Sequence, residues 1–177
     1  MSDLDFYAHV AAHRDVLGAG LGSSPAAWEA AVGADFLDVP GRGFLRRDYG
    51  LVEVTFMPTG DRAMACTGFG VQIHRLIHDR SATIVPTRLS HRYGAFRPRV
   101  GYEELRAVLL SMGRTVRRVE AQDRTGHVHR YSVAESGARV YVIADADPYG
   151  SGDHDPDDPD EHQVGDVWSM HMTPSGT

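Results

Sequence analysis

An α+β fold, an antiparallel sheet with helices packed on one face, is the class this sequence predicts, and three observations predict it. Apolar residues recur at spacings of three and four within residues 4–11, 25–32 and 102–112, the period of a helix with one buried face. Short runs that alternate apolar and polar residues follow those stretches, the period of a half-buried strand. The two kinds of element come in the same order twice, about 80 residues apart. The expectation is one domain over 1–177, with two α-β-β-β halves at about 1–78 and 99–172 and a connector over 79–98. Two such units can share one continuous sheet.

Each element has a local cause. Ser2 is placed to cap a first helix whose face carries Leu4, Tyr7, Val10 and Ala11. Gly18, Gly20 and Gly22 then break the chain; they follow a helix rather than a strand, so the context of a dinucleotide-binding loop is lacking and a connector is expected. Ser24 and Pro25 open a short helix bearing Trp28 and Val32, which stops at Gly33. Strands are expected over 44–48 and 51–57, with Tyr49 and Gly50 as the turn between them, and over 64–76 after a turn at 58–61. Tyr102, Leu105, Val108, Leu109 and Met112 make the stripe of a third helix ended by Gly113. Strands at 115–121, 128–134 and 138–144 follow, with turns at 123–126 and 135–137. An acidic loop over 145–165, a last strand at 167–171 and a frayed tail complete the chain.

Composition narrows the chemistry. The 177 residues are 42% hydrophobic and 24% charged, ordinary for a globular chain. All 18 basic side chains are arginine; lysine and asparagine are both absent, as a GC-rich genome would produce. Schiff-base chemistry, a P-loop lysine and a Ser–Lys dyad are therefore excluded. A formal charge of −6 argues against nucleic-acid binding. Cys66 is the only cysteine, which points to a reducing compartment and a cytoplasmic location. The N-terminal segment lacks the basic and apolar regions of a signal peptide, and no run approaches the roughly 18 apolar residues of a membrane span.

Four constellations could carry chemistry. His74 and His78 are four apart, a zinc-ligand spacing if helical, and His91 could join them; HRLIH lacks the glutamate of a metalloprotease, and scattered histidines are the plainer reading. Cys66 and Ser136 lack any nucleophile signature. The basic and aromatic segment 91–99 can contact single strands, but an arginine-pinned linker is simpler. The acidic loop is the most distinctive stretch. Asp153, Asp155, Asp157, Asp158, Asp160 and Glu161 crowd its middle, with Tyr149 and Trp168 at its edges. A solvated insertion, a docking surface for a basic partner and a calcium loop are the three readings; the spacing does not match an EF-hand, and Pro156 and Pro159 stiffen the segment.

The strings LRRDYGLVEVTF, GFGVQIHRL, SGARVYVIAD and VGDVWSM resemble those of small uncharacterised actinobacterial (Streptomyces-like) proteins regarded as immunity proteins of polymorphic toxin systems, over most of 17–171. The halves, opened by Leu21-Gly22-Ser23-Ser24, are also similar to small outer-membrane assembly-factor modules, which implies fold alone. The first resemblance implies no catalytic residue and no cofactor. It implies a basic toxin domain as partner, with Asp153–Glu161 as the electrostatic part of a plug and Tyr149 and Trp168 as anchors. The second reading is a metal-dependent or small-ligand enzyme built on His74, His78, His91 and the loop aspartates; a deep pocket where several imidazoles and carboxylates converge on an ion or substrate would end the binding-surface reading in its favour. A third is an oligomerising domain.

Overall fold

In the computed structural model, residues 1–61, 63–79, 83–120, 126–147, 150–152, 154–155, 157–158 and 160–174 are described. The chain runs α1 (Asp3–His13), β1 (Asp15–Val16), β2 (Ala19–Gly20), α2 (Pro25–Val32), β3 (Leu37–Gly41), β4 (Phe44–Asp48), β5 (Val52–Pro58) and β6 (Met64–Val71). It continues through α3 (Arg75–His78), α4 (Thr87–Tyr93), α5 (Tyr102–Ser111), β7 (Val116–Val119), β8 (Val128–Val133), β9 (Arg139–Ile143) and β10 (Val167–Met172). The fold is α+β, with an eight-stranded antiparallel sheet and the small β1–β2 pair.

The helix ends follow their sequence signals. Ser2 accepts from the Asp5 backbone N–H while the Asp5 carboxylate accepts from the Ser2 N–H, a complete capping box. Ser24 caps α2 through the Ala27 N–H, with proline at the first helical position. Gly50 sits at φ +85° in the β4–β5 turn, where a Cβ would collide with the carbonyl of Ile84. The Leu51 N–H donates to that same carbonyl.

Strand order is β3-β4-β5-β6-β10-β9-β8-β7. Outward from the central β6–β10 pair, each half reads the same way, with its fourth strand at the centre and its first at the edge. The repeat is therefore α-β-β-β-β in both halves, one strand longer than the spacing predicts. The additional strand of the first half is β3. Its residues are mostly exposed, and it contains Pro40, so it lacks the alternation of a half-buried strand and is tolerated at the sheet edge.

Two further boundaries differ from expectation. The strand expected over 64–76 ends at Val71, and the chain turns into α3. The connector over 79–98 contains α4, a short helix held by buried Leu89 and Tyr93. The turn expected at 123–126 lies largely outside the described residues.

One face of the sheet is covered. Phe6, Tyr7 and Val10 of α1, Trp28 of α2, Leu89 of α4 and Leu105 and Leu109 of α5 join Val54, Phe56, Phe69, Val71, Val140, Met170 and Met172 in one core. Trp28 meets Phe69 edge-on at 5.0 Å, and Tyr102 of α5 stacks on Tyr131 of β8 at 4.0 Å. The opposite face carries Arg46, Glu53, Thr55, Tyr141 and His171, all at least partly exposed. No helix among the described residues is long and apolar enough to cross a membrane.

Candidate functional site

The two halves differ most where their third and fourth strands connect. In the first half, residues 59–63 join β5 to β6, and the Thr59 N–H donates to the carbonyl of Ala63. In the second half, residues 144–166 join β9 to β10. That insertion is clamped at both ends. The N–H groups of Ala144 and Asp145 donate to the carbonyl of His127. At the other end, Asp166 is buried and accepts from Arg99 at 2.7 Å, and the backbone of 165–167 bonds to that of 100–102. A buried carboxylate met by a guanidinium fixes where the insertion returns to the sheet.

Between its ends the insertion is knit by its own acids. The Asp147 carboxylate accepts from the N–H groups of Ser151 and Gly152 and from the Ser151 hydroxyl, which holds its pKa below the ordinary carboxylate value. Asp155 accepts from the Asp157 N–H and Asp158 from the Asp160 N–H. Glu161 accepts from the Asp155 N–H, and the Gln163 side-chain amide donates to the carbonyls of Asp155 and Asp158. Aspartate turns of this kind replace backbone ladder bonds with carboxylate–amide bonds. Several of the acids are thus structural parts of a folded lobe, more than a solvated charge run.

The lobe and the ends of β8, β9 and β10 border a half-open cavity of about 630 Å³, within the size range of small-ligand sites. Val128, Ile143 and Trp168 supply its apolar wall, and Asp145, Asp147, Asp160 and Glu161 supply carboxylates. His78, His127, His154 and His162 also line it. The rings form a connected series. His74 stacks on Trp168 at 4.4 Å with 5° between planes, Trp168 meets His162 at 4.9 Å, and His162 meets His78 at 5.4 Å.

Electrostatics keep the inner imidazoles neutral. Burial pulls His162 down to about 4, with His78 adding to the shift and Asp166 opposing it. Its Nε2 is buried and finds no hydrogen-bond partner among the described residues. Burial also lowers His74, whose Nδ1 lies 3.3 Å from the carbonyl of Trp168. The outer histidines face carboxylates: His127 Nδ1 is 3.4 Å from Asp145, and His154 Nε2 is 4.0 Å from Glu161 and 3.0 Å from the carbonyl of His162.

Of the residues singled out in the sequence, Asp160, Glu161, Trp168 and His78 line this cavity, and His74 stands behind Trp168. Asp155 and Asp157 are exposed on the lobe, and Asp158 is partly buried in its turns. Tyr149 and Asp153 lie outside the described residues. The 74–78 segment is helical, with His74 at the N-cap of α3, yet the two imidazoles turn to different neighbours, Trp168 and His162. His91 is exposed on α4 and does not line the cavity. Among the described residues no three His, Cys, Asp or Glu side chains are grouped to hold a metal ion. His127, His154 and His162, which no sequence pattern points to, complete the cavity wall with the loop aspartates Asp145 and Asp147.

Cys66 is buried, and its thiol is pushed up to about 11 by burial, the opposite of what a nucleophile needs. Ser136 is buried in the turn after β8, where its hydroxyl donates to the carbonyl of Ala11. Arg97 and Arg99 of the 91–99 segment pair with Asp3, Glu104 and Asp166, the pinned-linker arrangement. No family model, no curated protein and no solved structure matches this chain, so its functional reading rests on the geometry of this site.

Proposed function

We propose that this chain is a protein-binding module that neutralises a basic partner, in the manner of an immunity protein facing its toxin, through the insertion between β9 and β10. One observation carries the reading. The repeated architecture is closed by a short turn in one half, and in the other that turn is replaced by a folded lobe rich in aspartate and free of arginine. Elsewhere several carboxylates are matched by arginine, Asp38 by Arg47, Asp48 and Glu53 by Arg75, Asp3 and Glu104 by Arg97, and at the root of the lobe Asp166 is matched by Arg99. A surface rich in carboxylates on a folded scaffold attracts and orients a cationic protein surface.

The test is rescue followed by titration. Each gene adjacent to this one is expressed alone and together with this chain, and a product that arrests growth only when alone is the partner. Binding is then measured calorimetrically with the intact chain and with a variant whose residues 151–162 are replaced by a short Gly-Ser linker. The variant is expected to fold and to bind more weakly, with the difference shrinking as salt rises. Equal affinity of the two proteins would remove the lobe from the account.

The cavity itself favours a second reading, a small-ligand or metal-dependent enzyme, because four imidazoles and four carboxylates line one half-open cleft, although among the described residues no three of them are grouped to hold a metal ion. Metal analysis of the purified protein separates the two: a stoichiometric zinc or manganese ion establishes the second.

A further inference from the structure

We propose that the open face of the sheet in the second half binds a single-stranded nucleic acid, with phosphates held by Arg117, Arg130 and Arg139 and one base stacked against Tyr141. The inference concerns a different surface from the lobe and goes beyond the binding-module reading. Strand register is its first basis. Val133, Val140 and Met170 face the core, so the positions that alternate with them turn to the uncovered face. On β7, β8 and β9 these are positions 117, 119, 128, 130, 132, 139, 141 and 143; three of them are arginine and none is acidic. Arg130 lies directly across from Tyr141. Ser132 has Arg117 on one side and Arg139 on the other. Arg117 is exposed, and Arg130, Arg139 and Tyr141 are partly exposed. The imidazole of His171, from β10, meets the Tyr141 ring at 5.1 Å with 76° between planes and extends the aromatic surface. Glu53, whose charge reaches that imidazole, is itself held by Arg75 at 3.0 Å.

The distribution of charge along the chain is the second basis. Nine of the 24 acids fall in residues 145–166, which leaves 15 acids against 18 arginines in the rest of the chain. Residues 114–139 hold six arginines and three acids. The formal charge of −6 is therefore a property of the lobe, and a polyanion meets a basic segment on β7 to β9. Guanidinium groups grip phosphates through paired N–H donors, and an aromatic ring among them gives any base a stacking surface. A single strand uses both features, because its bases are unstacked and can reach the ring; an acidic protein uses the arginines alone.

Fluorescence anisotropy of a labelled oligouridine of about eight nucleotides, titrated with the purified chain, tests this. A dissociation constant on the order of 10 μM at about 50 mM salt is expected, weakening as salt rises. Arg117→Gln, Arg130→Gln and Arg139→Gln combined should weaken binding at least about tenfold and flatten its salt dependence. Tyr141→Leu should weaken it about tenfold with the salt dependence unchanged, and Tyr141→Phe should bind like the native chain. All these positions lie on the uncovered face, so circular dichroism should stay native. The chain with residues 151–162 replaced by a linker should bind the oligonucleotide at least as tightly, since it has lost like charge. Loss of binding in that variant would place the contact on the lobe and overturn the inference. So would no saturable binding at about 1 mM, or affinity unchanged by the arginine or Tyr141→Leu substitutions. Polyglutamate competing as well as unlabelled oligouridine overturns it by assigning the face to an acidic protein, and equal affinity for a duplex of the same length overturns it by removing the stacked base.

Discussion

The two tryptophans show how differently the two halves use one plan. Trp28, on the helix that opens the first half, is fully buried against Phe69 of β6. Trp168, on the last strand of the second half, is 37% exposed and faces a cavity. The same contrast holds for charge. In the first half, Arg47 is buried beneath Phe36, 3.6 Å from its ring centroid, and binds Asp38 through two bonds of 2.7 and 2.9 Å. In the second half, Asp145, Asp147, Asp160 and Glu161 gather around one cavity, with no guanidinium among its described lining residues. The first half is finished internally, and the second leaves its chemistry turned outward.

The comparison is broken most severely in the first half. Trp28→Ala is expected to destabilise the protein by about 4 kcal/mol, measured by urea unfolding, because it leaves a large cavity in the shared core. Trp168→Ala in the same assay should fall below about 1 kcal/mol, since half-exposed side chains contribute little packing. A cost at Trp168 equal to that at Trp28 would end the contrast.

Arg47→Ala should follow at about 3 kcal/mol, because it leaves Asp38 and the Pro25 carbonyl without their donor. Stability measured against pH gives the next effect. His162 titrates near 4 when folded and at 6.5 when unfolded. Between those values the unfolded chain holds a proton that the folded chain lacks, so the unfolded state is favoured. Full stability therefore holds above about 6.5 and declines as pH falls to about 4, by about 1 to 2 kcal/mol after allowance for solvent at the cavity mouth. His162→Gln should flatten that slope. The smallest effect is expected from replacing residues 151–162 with a linker, below about 1 kcal/mol, because both clamps of the insertion lie outside the excised segment.

Much of the fold was legible because its signals are local. Ser2, Ser24 and Gly33 mark helix ends by their own hydrogen bonds and backbone angles, and Val52–Phe56 alternates buried and half-buried residues in one run. β3 was not legible, since an edge strand exposed on both sides carries no alternation. α4 was hidden between Pro86 and Gly94, with only Leu89 and Tyr93 to show a face. The acidic lobe stood out by composition, but its cavity did not. The wall is assembled from α3, the start of β8, the end of β9 and the return into β10, segments far apart in sequence. His154 and His162 flank the acidic run at a distance of eight residues, the one local hint of imidazoles turned inward.

The position of β10 has a consequence for how the molecule is made. β10 lies in the middle of the sheet, between β6 and β9, and its partner β6 is completed about a hundred residues before it in the chain. Until it arrives, the growing polypeptide holds two unpaired interior edges, each able to recruit a foreign strand. Such long-range closure slows folding relative to a sheet whose strands pair in sequence order.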